Sequence, residues 1–383
     1  MVDFAYISGG RLFVRLSGEE ARELESPFAT SVVKRTASIA RRNEWKRAGR
    51  GARFMMGLEG LSEQLDAKQP PALVLFTGLS RGRHATEICY SLASSGVTGL
   101  FTFSGGEEQR LFHGTDVAVS EPDCQPGGER IACVIGGKDG QSHIAVIGRD
   151  GLQEVTAGDA MDGAPCWVPG RARILFESRA FGYDRGGRVV DVAPATIQEL
   201  DLDAGEVTAR VEKPDMSCSD PRIGHDGTLY YLRRPVPRRE RISIFRLALD
   251  ALLFPWRMLM ALFQYLNFFS LRYTGKPLVT AGSARAKRAD IKRAAMIGNL
   301  SAAADAADED EKLPDDWQLI ALEEGGTERV IARGVLCFDV CHDGGVIWSN
   351  GRTILWRKPD GAEEELAKRL EVTRLVALAP MES

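Results

Sequence analysis

Hydrophobic positions in this chain fall mostly into short runs that alternate with polar ones and end at Gly-containing turns. "HIAVIGRDG" and "LQEVTAGD" show the pattern, with Asp139-Gly140, Asp150-Gly151 and Asp226-Gly227 as turn signals. A period of two over so few residues predicts half-buried strands, and Gly accepts the positive φ that tight hairpins need. Three stretches also look alike: "EPDCQPGGERIACVI" from Glu121, "APCWVPGRARILFES" from Ala164 and "DPRIGHDGTLYYLRR" from Asp220. Their prolines, Pro122, Pro165 and Pro221, lie 43 and 56 residues apart. A repeat of that length built only from short strands predicts blades that must stack around an axis, because one small sheet cannot bury both faces alone.

At these residues the chain resembles the TolB-type, WD40-like (PD40) propeller repeat of bacterial proteins. Its pattern is Pro-x-Trp-Ser-Pro-Asp-Gly, then strands separated by an Asp-Gly turn. Trp167 and Pro169 in "PCWVPG" match best, whereas Cys124, Gln125 and Pro126 replace the Trp-Ser-Pro, and Arg222 stands where a Trp is expected. The resemblance is specific over residues 115–235 and weaker outside. It implies an all-β fold, a single β-propeller over 1–383. Strand counting gives six blades, and seven if the N-terminal part divides differently. The terminal "VTRLVALA" supplies the missing strand of the first blade and closes the ring.

Three stretches do not fit a blade: a helical insertion over 27–70 with Ser31 as N-cap, a Gly-rich loop over 180–195, and an insertion over 235–315. Alternation of strand direction sends all three out of one face. The last holds an apolar helix, 243–272, followed by an acidic linker, 301–316. Of the 25 residues from Phe245 to Phe269, 19 are apolar, and the polar Arg246, Asp250, Arg257 and Gln264 line up on one side of a helical projection. A lone membrane crossing is unsuited to this segment. Its charges would each cost about 2.5–3.5 kcal/mol near a bilayer centre, and a single pass would strand part of the propeller on the far side. The segment must still hide Leu249, Leu252, Leu253, Phe254, Trp256, Leu259, Phe263, Leu266, Phe268 and Phe269. It can do so on its own propeller, in a membrane surface, or against a partner or second copy. Arg233, Arg234, Arg238, Arg239 and Arg241 before it, and Arg272 and Lys276 after it, form the basic flank that anionic headgroups attract.

Net charge of −4 brings no general demand for nucleic acid, and "ARRNEWKRAGRGARF" over 40–54 reads as a basic helix face. Seven cysteines without a secretory signal pattern predict reduced thiols and a cytoplasmic chain, peripheral at the inner membrane surface if the helix engages lipid. No nucleophile elbow, zinc-protease helix or phosphate loop appears. Cys337, Cys341 and His342 in "CFDVCHD" have a metal-like spacing, but the cysteines alternate along a strand and point into the blade stack. The expectation is therefore a non-catalytic scaffold with no catalytic residue, no metal and no cofactor. Its decorated face would bind another protein, self-association through 243–272 being one form of this. The rival is a propeller hydrolase or lactonase with a channel metal, for which Glu121, Asp220 and Asp339 are the candidates near the inner strands.

Overall fold

The computed structural model describes residues 2–16, 18–48, 74–84, 87–94, 97–137, 140–236, 313–368 and 371–379, with helix side chains described to Ser38. The segment 243–272, residues 301–312 of the linker and residues 49–73 of the first insertion lie outside the described residues, as do Arg238, Arg239, Arg241, Arg272 and Lys276. The described strands all fall in one compact unit, Met1–Pro235 with Ala307–Ser383.

The described strands make six four-stranded antiparallel ladders. The first pairs Asp3–Ser8, Arg11–Arg15 and Arg22–Glu23 with the last strand, Val372–Leu378, which takes the innermost place. The second runs Leu75–Arg81, Ile88–Ser94, Val97–Ser104 and Glu107–Gly114. The third holds Val119–Cys124, Ile131–Gly136, Ser142–Gly148 and Gly151–Glu154, and the fourth Ala160–Trp167, Arg173–Tyr183, Thr196–Asp201 and Glu206–Val211. A single parallel pair, Ser142 with Met161, joins these two. The fifth holds Met216–Ile223, Leu229–Pro235, Gln318–Leu322 and Glu328–Arg333, and the sixth Cys337–Val340, Val346–Ser349, Ile354–Arg357 and Glu363–Ala367.

The inner strands touch in cyclic order, each against the next, with Cys337–Val340 against Val372–Leu378 and that strand against Leu75–Arg81. Apolar residues fill every seam between neighbouring ladders. Leu79, Tyr90 and Phe101 meet Ala5, Ile7 and Val376 in one, and Trp167, Ile174 and Phe176 meet Ala132, Val134 and Ile144 in another. Phe4, Tyr6 and Leu375 meet Ile347 and Trp356 in the seam that closes the ring. All seven cysteines are free and buried, with Cys337 and Cys341 inside this last seam. Burial pushes the Cys337 thiol up to about 12.

Residues 24–74 join the first ladder to the second, while 184–195 and 236–317 join second strands to third strands within the fourth and fifth ladders. Strands alternate in direction, so these connections leave from one face and the first-to-second turns from the other. Two local expectations change. The helix, Pro27–Ala48, is capped by Ser26 and not Ser31: Ser26 Oγ accepts from Ala29 N at 3.1 Å, while Ser31 Oγ donates back to Phe28 O. Ser26 followed by Pro27 is the favoured N-cap and first-turn pair. Glu108, from the second ladder, accepts from Ser26 Oγ, Phe28 N and Tyr90 Oη, and so pins the helix start to the ring.

Residues 180–195 are not a loop but largely a β-hairpin. Arg173–Tyr183 runs on past its partner strand and pairs with Val189–Val192. Asp184 Oδ1 accepts from Gly186 N and Arg188 N at 2.8 and 2.9 Å, which closes the tip.

Removing Val372–Leu378 deletes an inner strand and one wall of two apolar seams, leaving Asp3–Ser8 with an open edge. The truncated chain is expected to lose its cooperative denaturant transition, followed by near-UV circular dichroism. A transition at the full-length midpoint would contradict the closure.

Candidate functional site

The axis is where the repeats converge. Glu121, Ala164 and Asp220 each precede a proline, and each has a positive φ, 47°, 48° and 54°. The inner strands of the third, fourth and fifth ladders change register there, at Ser120/Asp123, Gly163/Cys166 and Ser219/Arg222. These are bulges, which free a backbone N–H from the ladder and turn it inward. Two of the freed groups meet carboxylates: Ala164 N donates to Glu121 Oε2 at 2.8 Å, and Asp220 N to Glu177 Oε2 at 3.0 Å. The second ladder changes register at Phe76/Gly78, and a side chain at Gly78 would run into the backbone of Glu121 at 2.6 Å.

Arginines complete the arrangement, Arg374 and Arg81 from other ladders and Arg222 from Asp220's own strand. Arg374, on the closing strand, bonds Glu121, and Arg222 lies 3.0 Å from Asp220. Arg81 donates to Asp339 Oδ2 at 3.0 Å and to the carbonyl of Val340. Asp339 also accepts from Ala377 N at 2.8 Å, with Arg222 Nε 3.8 Å from its other oxygen. Glu121 holds the Arg374 guanidinium above its usual pKa against the effect of burial. Asp123 accepts from Trp167 N at 2.8 Å, and its backbone carbonyl takes the Trp167 indole N–H at 3.1 Å. Burial pushes the Asp123 carboxyl up to about 6, against the pull of Arg222, Trp167 N and Arg81. The cavity left on the axis, bounded by Gly78, Glu121, Ala164, Asp220, Arg222 and Arg374, measures about 20 Å³. That is room for about one water.

Glu121, Asp220 and Asp339, the three acids singled out from sequence, thus do come together on the axis. What the sequence did not reveal is that each faces a guanidinium, the position a cation would need. Among the described residues no group of three or more His, Cys, Asp or Glu is placed to hold a metal. The basic flank divides. Arg233 is bonded to Glu328 at 2.8 Å and Gln318 at 2.7 Å. Arg234 is buried, stacks 4.4 Å from the Trp317 ring, donates to Leu336 O, and has its pKa lowered to about 10 by burial. Both guanidiniums are engaged by groups around the fifth ladder. The ten apolar helix residues lie outside the described residues, and among the described residues no helix is long and apolar enough to cross a membrane.

Two surface features stand apart from the axis. The hairpin exposes Tyr183, Val189, Val190 and Val192, with Val190 at 57%. On the opposite face a groove of about 410 Å³ runs between the fourth and fifth ladders, with Leu175, Ile223, Leu229 and Leu322 among its walls and Arg171, Arg210, Glu323 and Glu324 around them.

Four-stranded ladders touching in cyclic order, with bulged inner strands on an axis, define a β-propeller. The fold is TolB-like. It aligns with TolB from Acinetobacter baumannii over 99% of this chain and 67% of that one, at TM-score 0.52 and 12% identity. A putative TolB from Agrobacterium tumefaciens aligns over 81% and 90%, at 0.43 and 12%. A nidogen/laminin complex structure aligns over 99% and 98%, at 0.48 and 9%. No family model and no curated protein matches the chain.

Asp339→Ala leaves Arg81 without its carboxylate and Ala377 N without its acceptor, and is expected to cost about 3–5 kcal/mol in denaturant unfolding. Asp123 gives a pH signature. Its folded pKa of about 6 lies above the ordinary 3.8, so its contribution is favourable in acid and is lost as pH rises through 6. Asp123→Asn keeps an acceptor for Trp167 N, and should gain on the native chain between pH 4 and pH 7. A stability difference that stays flat over that range would contradict this environment for Asp123.

Proposed function

We propose that this protein is a non-catalytic interaction module, a propeller whose insertion-bearing face docks another protein. The observation that carries the reading is the closed axis. In a propeller that binds a metal or small substrate in its channel, inward acids must remain available. Here Glu121, Asp220 and Asp339 are engaged by Arg374, Arg222 and Arg81, and the cavity beside Glu121, Asp220 and Arg374 measures about 20 Å³. This arrangement also counts against the hydrolase or lactonase alternative.

Support for the face comes from the hairpin. Tyr183, Val189, Val190 and Val192 stand on the side from which all three insertions leave. Exposed apolar side chains on a short two-stranded arm are costly unless covered part of the time, and such patches mark contact surfaces. The apolar segment 243–272 belongs to the same reading through its sequence. With Arg238, Arg239, Arg241, Arg272 and Lys276 it is suited to a partner protein, a second copy or an anionic membrane surface at the inner leaflet.

Site-specific photocrosslinking in cells tests the face. A photoreactive residue at Val190 is expected to trap one discrete protein adduct, and one at Asp203, in a third-to-fourth turn of the other face, none. Adducts at 203 alone, or at neither position, would overturn the assignment. Co-sedimentation with neutral and anionic vesicles, with and without residues 243–272, then decides between lipid and protein for that segment. Salt-sensitive binding to anionic vesicles that the deletion abolishes places it on lipid, and absence of binding places it on protein.

A further inference from the structure

The face opposite the insertions carries a pair of residues that neither the fold nor the proposed function uses. The turn between the first and second strands reads Gly224-His225-Asp226-Gly227 in the fifth ladder and Cys341-His342-Asp343-Gly344 in the sixth. In each the aspartate is spent on the turn. Asp226 Oδ1 accepts from Thr228 N at 3.0 Å, and Asp343 Oδ1 from Gly345 N at 2.9 Å. The glycines are spent too, at φ of 83° and 82°, a conformation that favours glycine. Only the histidines have no part in making the turn. Because they occupy the same position in adjacent ladders, the ring of strands brings them together, with centroids 5.0 Å apart and planes at 72°. Both are exposed.

We propose that His225 and His342 form a two-imidazole site for a divalent transition-metal ion of the Zn²⁺, Ni²⁺ or Cu²⁺ class, with water completing its coordination. Imidazole is a preferred ligand of these ions. With metal–nitrogen bonds of about 2.0–2.1 Å and a ring radius of about 1.1 Å, two imidazoles on one tetrahedral ion have centroids about 5 Å apart. The observed separation meets that requirement, and exposed rings are free to turn a nitrogen toward a common point. Neighbouring thiols do not compete. Cys341 and Cys337 are buried in the seam between the sixth ladder and the first, and burial disfavours the thiolate that would ligate. An ion held here ties the fifth ladder to the sixth, so binding raises the stability of the folded ring.

Thermal melting and calorimetric titration of the chelator-treated full-length protein with zinc chloride and nickel chloride test the site. The expected result is one micromolar site and a rise in Tm. His225→Ala and His342→Ala should each weaken binding at least about tenfold and remove the rise, with metal-free Tm unchanged. His84→Ala, an exposed control in the second ladder, should change neither. If alanine lowers the metal-free Tm, His225→Gln keeps a polar side chain of similar size and removes the ligand. No heat at about 1 mM ion, or variants that bind as the native chain does, would overturn the site.

Discussion

The carboxylate of Glu121 joins the third ladder both to the fourth and to the closing strand. One oxygen takes the backbone N–H freed by the bulge at Ala164, and the other takes the guanidinium of Arg374, 253 residues further on. Bulged inner strands need such acceptors. A residue at positive φ before a proline is a strained conformation for any side chain but glycine, and an inward N–H without a partner would add a desolvation cost. Glu121 and Glu177 supply those acceptors, and Arg374, Arg222 and Arg81 balance the charge that collects with them. Each arginine lies on a different ladder from the carboxylate it meets, except Arg222 with Asp220. The ion pairs therefore work across the ring, as the apolar seams do.

Removing one member of such a pair leaves the other as an uncompensated buried charge. The two faces of the ring differ. One carries the pinned helix, the exposed hairpin and the exit points of the longest insertion. The other carries short turns, the groove between the fourth and fifth ladders, and the His225–His342 pair. The basic residues next to the apolar segment are also redistributed by the fold. Arg233 and Arg234 act as side chains of a strand, bonded within and beside the fifth ladder.

Much of the architecture was legible. Pro122, Pro165 and Pro221 mark three inner strands, the Asp226-Gly227 turn falls between strands, and "VTRLVALA" pairs with the first strand as expected. Periodicity carries that information because burial of one strand face is a local property. The axial acids were legible as positions, since they recur at one place in the repeat. Their arginines were not, because Arg81 and Asp339 are 258 residues apart and only ring closure makes them neighbours. The hairpin was hidden by its own tip: Asp184, Gly186 and Gly187 read as loop, although Phe181 and Tyr183 alternate as strand residues do. Ser26-Pro27 held the helix-start signal that Ser31 was given.

The claim that the ring is closed on its axis by charge pairing rests most directly on Glu121 and Arg374. A double-mutant cycle with Glu121→Gln and Arg374→Met, read by denaturant unfolding, measures their coupling without reference to any partner. The account predicts a coupling energy of about 0.5–3 kcal/mol. Additive effects of the two substitutions would contradict it.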